Sequence, residues 1–161
     1  MARVEERVHI HRPVERVWDV LVDWESQPDW MHDARSVTVT SPQRTGVGVT
    51  IDVPTTLVLG IVVTDEMEVT EWVQGRRIAV RHTGRVIRGS GAFELSPTRR
   101  PNGAQGTIVT WWEAIDVPLG RMGDAMARSI AVPVVARLFR RSLLTLKRVA
   151  EERIPPRLEG W

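Results

Sequence analysis

Cysteine is missing from all 161 residues, which excludes disulfide staples and thiolate-held metals and suits a reducing compartment. Lysine is almost missing too: Lys147 is one of 22 basic residues and the rest are arginine, a bias that GC-rich coding produces as easily as function. The longest wholly apolar run, LVLGIVV at 57–63, is far too short to span a bilayer as a helix. The opening MARVEERVHIHR is charged where a secretory signal would be apolar, so a cytoplasmic protein without a transmembrane segment is expected. Repeats and linkers are lacking, because the one Pro/Gly-rich segment, 97–106, reads as a hairpin loop. The expectation is one domain over 1–161, with 154–161 as a loose tail.

What is present is ordinary for a globular chain: 42% hydrophobic and 26% charged residues. A chain of this length buries about two-thirds of its unfolded surface, so one sizeable core is expected. The net charge of +2 is unevenly spread, since residues 121–157 hold nine bases against three acids, a local +6 that leaves −4 elsewhere. A solvated helix face accounts for that run; a docking surface for an acidic partner, such as a carrier protein or membrane headgroups, is the alternative. No motif for sequence-specific nucleic-acid binding occurs.

Along the chain, VEERVHI at 4–10 alternates as a half-buried strand does. Pro13 suits a first helical turn, after which Val14, Val17, Trp18, Leu21 and Val22 form one apolar helix face. Trp24 falls off that face, so the helix ends near Asp23, and Pro28, capped by Ser26, restarts a short helix ending around Trp30. From residue 34 the texture is β: six runs rich in valine, threonine and tryptophan, separated by short turns, predict antiparallel hairpins. After Pro133 a helix of about five turns places Val135, Leu138, Phe139, Ser142, Leu146, Val149 and Ala150 on one side and Arg137, Arg140, Arg141 and Arg148 on the other.

This order, with RPVERVWDVLVDWESQPDW at 12–30, VTEWVQGRRIAVR at 69–81, GSGAFELSP at 89–97 and GTIVTW at 106–111, resembles the START/SRPBCC superfamily and, within it, the polyketide cyclase/dehydrase and lipid-transport branch. The resemblance implies an α+β helix-grip fold: a curved seven-stranded antiparallel sheet around a long C-terminal helix, two short helices after the first strand, and a cavity between. It also implies that Trp18 packs under the sheet, with Trp24 and Trp30 near the helix bend and the cavity mouth. It supplies no catalytic residue, so the chemistry rests on strand parity.

A two-residue turn at Gln74–Gly75 sets Met67, Val69 and Glu71 opposite His82, Val80 and Ile78. A like turn at Gly84–Arg85 sets His82, Val80 and Ile78 opposite Ile87, Gly89 and Gly91. Met67, Val80, Phe93 and Trp111 then share one face with the polar residues Asp65, Glu71, His82 and Glu113. Gly89 and Gly91 leave room on that face, and Ser142 looks at it from the centre of the helix beside Leu138 and Phe139. Glu113, buried in mid-strand, suits proton transfer with His82 as partner, and Trp30, Asp65, Met67, Val80, Gly89, Gly91, Phe93, Trp111, Leu138, Phe139 and Ser142 are the expected ligand contacts.

Other motifs fail on context. His9 and His11 share a strand face, but no acid or cysteine completes a metal set. GSG at 89–91 is not a nucleophile elbow, and GVG at 46–48 opens a strand and so is no phosphate loop. The expectation is an internal cavity that binds a hydrophobic small molecule, polyketide-like, aromatic or lipid, without a metal or nucleotide cofactor. Cyclase- or dehydratase-type acid–base catalysis, non-catalytic carriage or sensing of a lipid or quinone, and partner binding through the basic helix all stay open.

Overall fold

The computed structural model describes residues 2–57, 60–116, 125 and 127–152. Seven strands, β1 (Ala2–Ile10), β2 (Thr38–Val39), β3 (Thr50–Thr56), β4 (Val62–Val73), β5 (Arg77–His82), β6 (Gly89–Arg99) and β7 (Gln105–Ile115), form one antiparallel sheet in the order β1-β7-β6-β5-β4-β3-β2. Helix α1 (Val14–Val22) and a 3₁₀ helix (Trp24–Asp29) follow β1, and α2 (Val132–Glu152) closes the concave face. This is the α+β helix-grip arrangement. The expected tail at 154–161 lies outside the described residues. No helix among the described residues is long and apolar enough to cross a membrane.

The helix bend depends on local hydrogen bonds more than on Pro28. Gln27, buried, donates from Nε2 to the Leu21 carbonyl at 2.9 Å, satisfying one of the acceptors that the end of α1 leaves open. Ser26 does not cap a helix at Pro28. Its hydroxyl donates back to the Asp23 carbonyl at 3.0 Å, and the second helix starts at Trp24 with Pro28 inside it. Trp18, Trp24 and Trp30 are all buried.

Trp18 and Trp24 surround Trp72, at ring-centroid distances of 5.3 and 6.4 Å. A bulge between Val69 and Glu71 makes that contact possible. The β4–β5 turn has three residues, Gln74–Arg76, with Gly75 at φ 69° and the Arg76 N–H bonded to the Val73 carbonyl. Val73 therefore pairs with Arg77 instead of Arg76, Met67 and Val69 keep their partners His82 and Val80, and the bulge takes up the difference. Trp72 turns inward, and Glu71 turns outward to pair with Arg77 at 2.7 Å, so Glu71 leaves the concave face on which strand alternation had placed it.

The β5–β6 connection is likewise longer than two residues. His82 pairs with Gly89, Val80 with Gly91 and Ile78 with Phe93, two positions beyond the expected register. A slip of two preserves the face of every side chain, so the concave set survives this error.

Candidate functional site

Between the concave face, the helix bend and α2 lies a cavity of about 600 Å³. Leu21 and Trp24 line it from the bend, Ile51, Val53, Met67, Ile78 and Val80 from the strands, and Val132, Val135, Leu138 and Phe139 from α2. Such a lining suits an apolar ligand. One wall is an aromatic stack: Trp111 lies on Phe139 at 3.6 Å with the rings 4° apart, and Phe93 lies against Trp111 at 5.0 Å. A wider groove of about 720 Å³ runs outside, between the start of α1 and the β4–β5 and β6–β7 turns; none of the ionisable groups described next borders it.

Four ionisable side chains gather at the cavity wall. Asp65 on β4, buried, accepts from His82 Nδ1 at 2.9 Å through both oxygens. Glu113 on β7 pairs in register with Gly91. A methyl group on Gly91 would stand 2.7 Å from Glu113 Cγ, so the missing side chain is what lets Glu113 lie across β6 toward β5. Trp111 Nε1 donates to Glu113 Oε1 at 3.3 Å. Asp33 completes the group from the segment after the 3₁₀ helix, where its carbonyl accepts from Thr56 N–H at the end of β3. Its Oδ1 is buried without a partner among the described residues.

Burial is the main influence on Glu113 and pushes its pKa up to about 7; the His82 charge pulls it down, while Asp33 and Asp65 add to the rise. Burial likewise raises Asp33, reinforced by the negative charge of Asp65. For His82 burial acts downward, but the Asp65 hydrogen bond and the charge of Glu113 outweigh it, and the net shift is upward. The set holds a hydrogen-bonded Asp65–His82 pair beside a carboxyl, Glu113, that near pH 7 is neither firmly charged nor firmly neutral. Proton donation and acceptance are then both open to one group.

Of the expected contacts, Asp65, Met67, Val80, Gly91, Phe93, Trp111, Glu113, Leu138 and Phe139 line the cavity, and His82, Trp30, Gly89 and Ser142 do not. His82 stands behind the wall, held by Asp65, with Nε2 buried and unpartnered among the described residues. Trp30 backs the aromatic stack edge-on, 5.9 Å from Phe93 and 6.5 Å from Trp111. A methyl group on Gly89 would meet the Ala114 carbonyl oxygen at 2.0 Å, and its φ is 133°, so glycine is there for the close approach of β6 and β7 and not for ligand space. The Ser142 hydroxyl accepts from the His32 N–H at 3.1 Å, tying α2 to the segment after the bend. Asp33 was missed because it lies between elements, where no period applies. Among the described residues no three His, Cys, Asp or Glu side chains gather to hold a metal ion.

The sequence matches the family model described as polyketide cyclase / dehydrase and lipid transport over residues 1–151. Solved structures share the fold. A Thermus thermophilus protein is 18% identical with a TM-score of 0.76, covering 92% of this chain and 97% of its own. The Zhui aromatase/cyclase from a Streptomyces species is 20% identical with a TM-score of 0.71, covering 96% of each chain. A Deinococcus radiodurans protein is 27% identical with a TM-score of 0.63, covering 93% and 98%. No curated protein matches the sequence significantly.

Proposed function

The chain belongs to the polyketide cyclase/dehydrase and lipid-transport family, and from that premise we propose that it binds a polyketide-like or aromatic small molecule in the cavity and dehydrates or cyclises it by acid–base catalysis at Glu113. The observation that carries this reading is a carboxyl poised near pH 7 on the wall of a largely apolar chamber. The aromatic stack of Phe139, Trp111 and Phe93 supports a flat ligand, held so that its polar carbons face the ionisable end.

For a β-hydroxy ketone the balance closes with one group. Glu113 as carboxylate removes the proton α to the carbonyl, and the electron pair forms the new C=C bond. The hydroxyl leaves with the proton that Glu113 returns, and the product is an enone plus water. His82 does not touch the ligand in this scheme. It is a positioning residue whose charge, fixed by Asp65, holds Glu113 below the value that burial alone would give.

The test is Glu113→Gln with a synthetic β-hydroxy-ketone polyketide mimic. Because acid–base groups contribute about 10²–10⁴-fold, turnover should fall at least about a hundredfold while ligand affinity stays. Unchanged turnover removes Glu113 from the mechanism. A wild-type protein that binds the mimic tightly and releases it unaltered reduces the function to carriage.

A further inference from the structure

The mouth of the cavity exposes apolar side chains that the core does not use. Leu57, Ile87 and Val134 line the cavity, and each belongs to a segment with outward neighbours. Ile61 is 57% exposed in the β3–β4 turn, held beside Leu57 by the Leu57 N–H to Ile61 carbonyl bond of 2.7 Å. Val86 is 59% exposed next to Ile87, and Ile130 is 60% exposed one turn before Val134. Scattered apolar residues on a surface need no explanation, but each of these three adjoins, in sequence, by a backbone bond or by one helical turn, a residue that lines the same cavity, so the three segments make one apolar collar.

The same rim is basic. Arg137 and Arg141 border the mouth from α2, Arg85 and Arg88 flank Val86 and Ile87 in sequence, and Arg35 reaches Thr56 Oγ1, at the cavity edge, at 3.3 Å. All five are exposed, and none takes part in an ion pair among the described residues. Asp116 stands beside Arg88, its N–H bonded to the Arg88 carbonyl.

An acidic protein surface would satisfy the arginines but leave the protruding β-branched tips against polar ground. A neutral bilayer would take the tips and leave the guanidiniums without counter-charge. An anionic bilayer satisfies both, with apolar side chains below the headgroups and arginines among the phosphates. We propose that this collar docks the protein on an anionic lipid membrane, Ile61, Val86 and Ile130 entering the interface, with the cavity mouth turned toward the lipid. Docking stands on the collar alone; exchange of ligand between cavity and membrane rests in addition on the cavity taking an apolar molecule.

The experiment is flotation of the full chain with vesicles of phosphatidylcholine alone and of phosphatidylcholine containing about 30% phosphatidylglycerol, a source of anionic surface charge. The wild type should bind the anionic vesicles at least about tenfold more tightly than the neutral ones, and less tightly as salt rises. Arg85→Glu with Arg88→Glu, and separately Ile61→Asn with Val86→Asn, should each weaken that binding by about tenfold or more while thermal unfolding stays unchanged. A folded wild type that ignores both vesicles overturns the proposal. So does binding that the Ile61 and Val86 changes leave intact, which is adsorption by charge alone, or arginine-dependent capture of an acidic carrier protein without vesicle binding. Native mass spectrometry of the same samples separates the two readings: a protein that docks but never holds an apolar ligand keeps the docking surface and loses the exchange.

Discussion

Glu113→Gln should alter the pH dependence of stability as well as the chemistry. Glutamine keeps the shape of the side chain but cannot ionise. In the wild type the carboxyl titrates at about 7 in the fold against an ordinary 4.5, so between these values the folded protein holds a proton that the unfolded chain has released. Its contribution to stability is therefore full in acid and is lost as pH rises through the window from about 4.5 to about 7. At 1.36 kcal/mol per tenfold the loss approaches about 3 kcal/mol, most of it between about pH 5 and about pH 8.5. The His82 charge is already included, because it acts on Glu113 in the fold. Urea denaturation of wild type and variant across that range is the assay. The variant should gain on the wild type by about 2 kcal/mol from the acid to the alkaline end, with most of the change complete by about pH 7. A difference that does not move with pH would refute the reasoning, since Glu113 would then ionise as a solvated carboxyl does.

Further outcomes follow from the same contacts. Trp111→Ala removes the ring stacked on Phe139 and should cost about 3–5 kcal/mol in urea denaturation; a cost below about 1 kcal/mol would contradict the packing. Asp65→Asn leaves His82 buried without its counter-charge, so stability should drop by about 3 kcal/mol and the His82 ring should titrate at lower pH by NMR, whereas an unmoved titration would deny the pair. Gly89→Ala drives a methyl group into the Ala114 carbonyl and should cost more than about 2 kcal/mol; wild-type stability would mean that β6 and β7 are less close. Glu71→Gln touches an outward, partly exposed ion pair, so it should change stability by less than about 1 kcal/mol and leave cavity binding as it was, and a lost ligand would restore Glu71 to the concave face.

The fold was legible because its signals are periodic. Val17, Trp18 and Leu21 gave the buried face of α1, and Phe139, Leu146 and Ala150 that of α2. Strand parity brought Asp65, Met67, Phe93, Trp111 and Glu113 to one cavity even though the β5–β6 turn was misjudged, because an even slip leaves every side chain on its face. The failures lie where period stops. A bulge has no sequence period of its own, so Glu71 and Trp72 were exchanged between faces. Parity fixes a face but not depth, so His82 was placed in the cavity and not behind its wall. Asp33 comes from a loop whose position is set by the Thr56 N–H and an Ala34–Thr55 bridge, long-range pairings that local sequence does not announce.

The central claim is that this cavity holds an apolar small molecule at a wall bearing Glu113. Its most direct test is native mass spectrometry of the full chain titrated with an uncharged naphthyl ketone, comparing wild type with Leu138→Trp, which fills the cavity from α2. The account predicts a saturable one-to-one complex that the filled variant loses while remaining folded. No complex with wild type, or equal binding by both proteins, would contradict it.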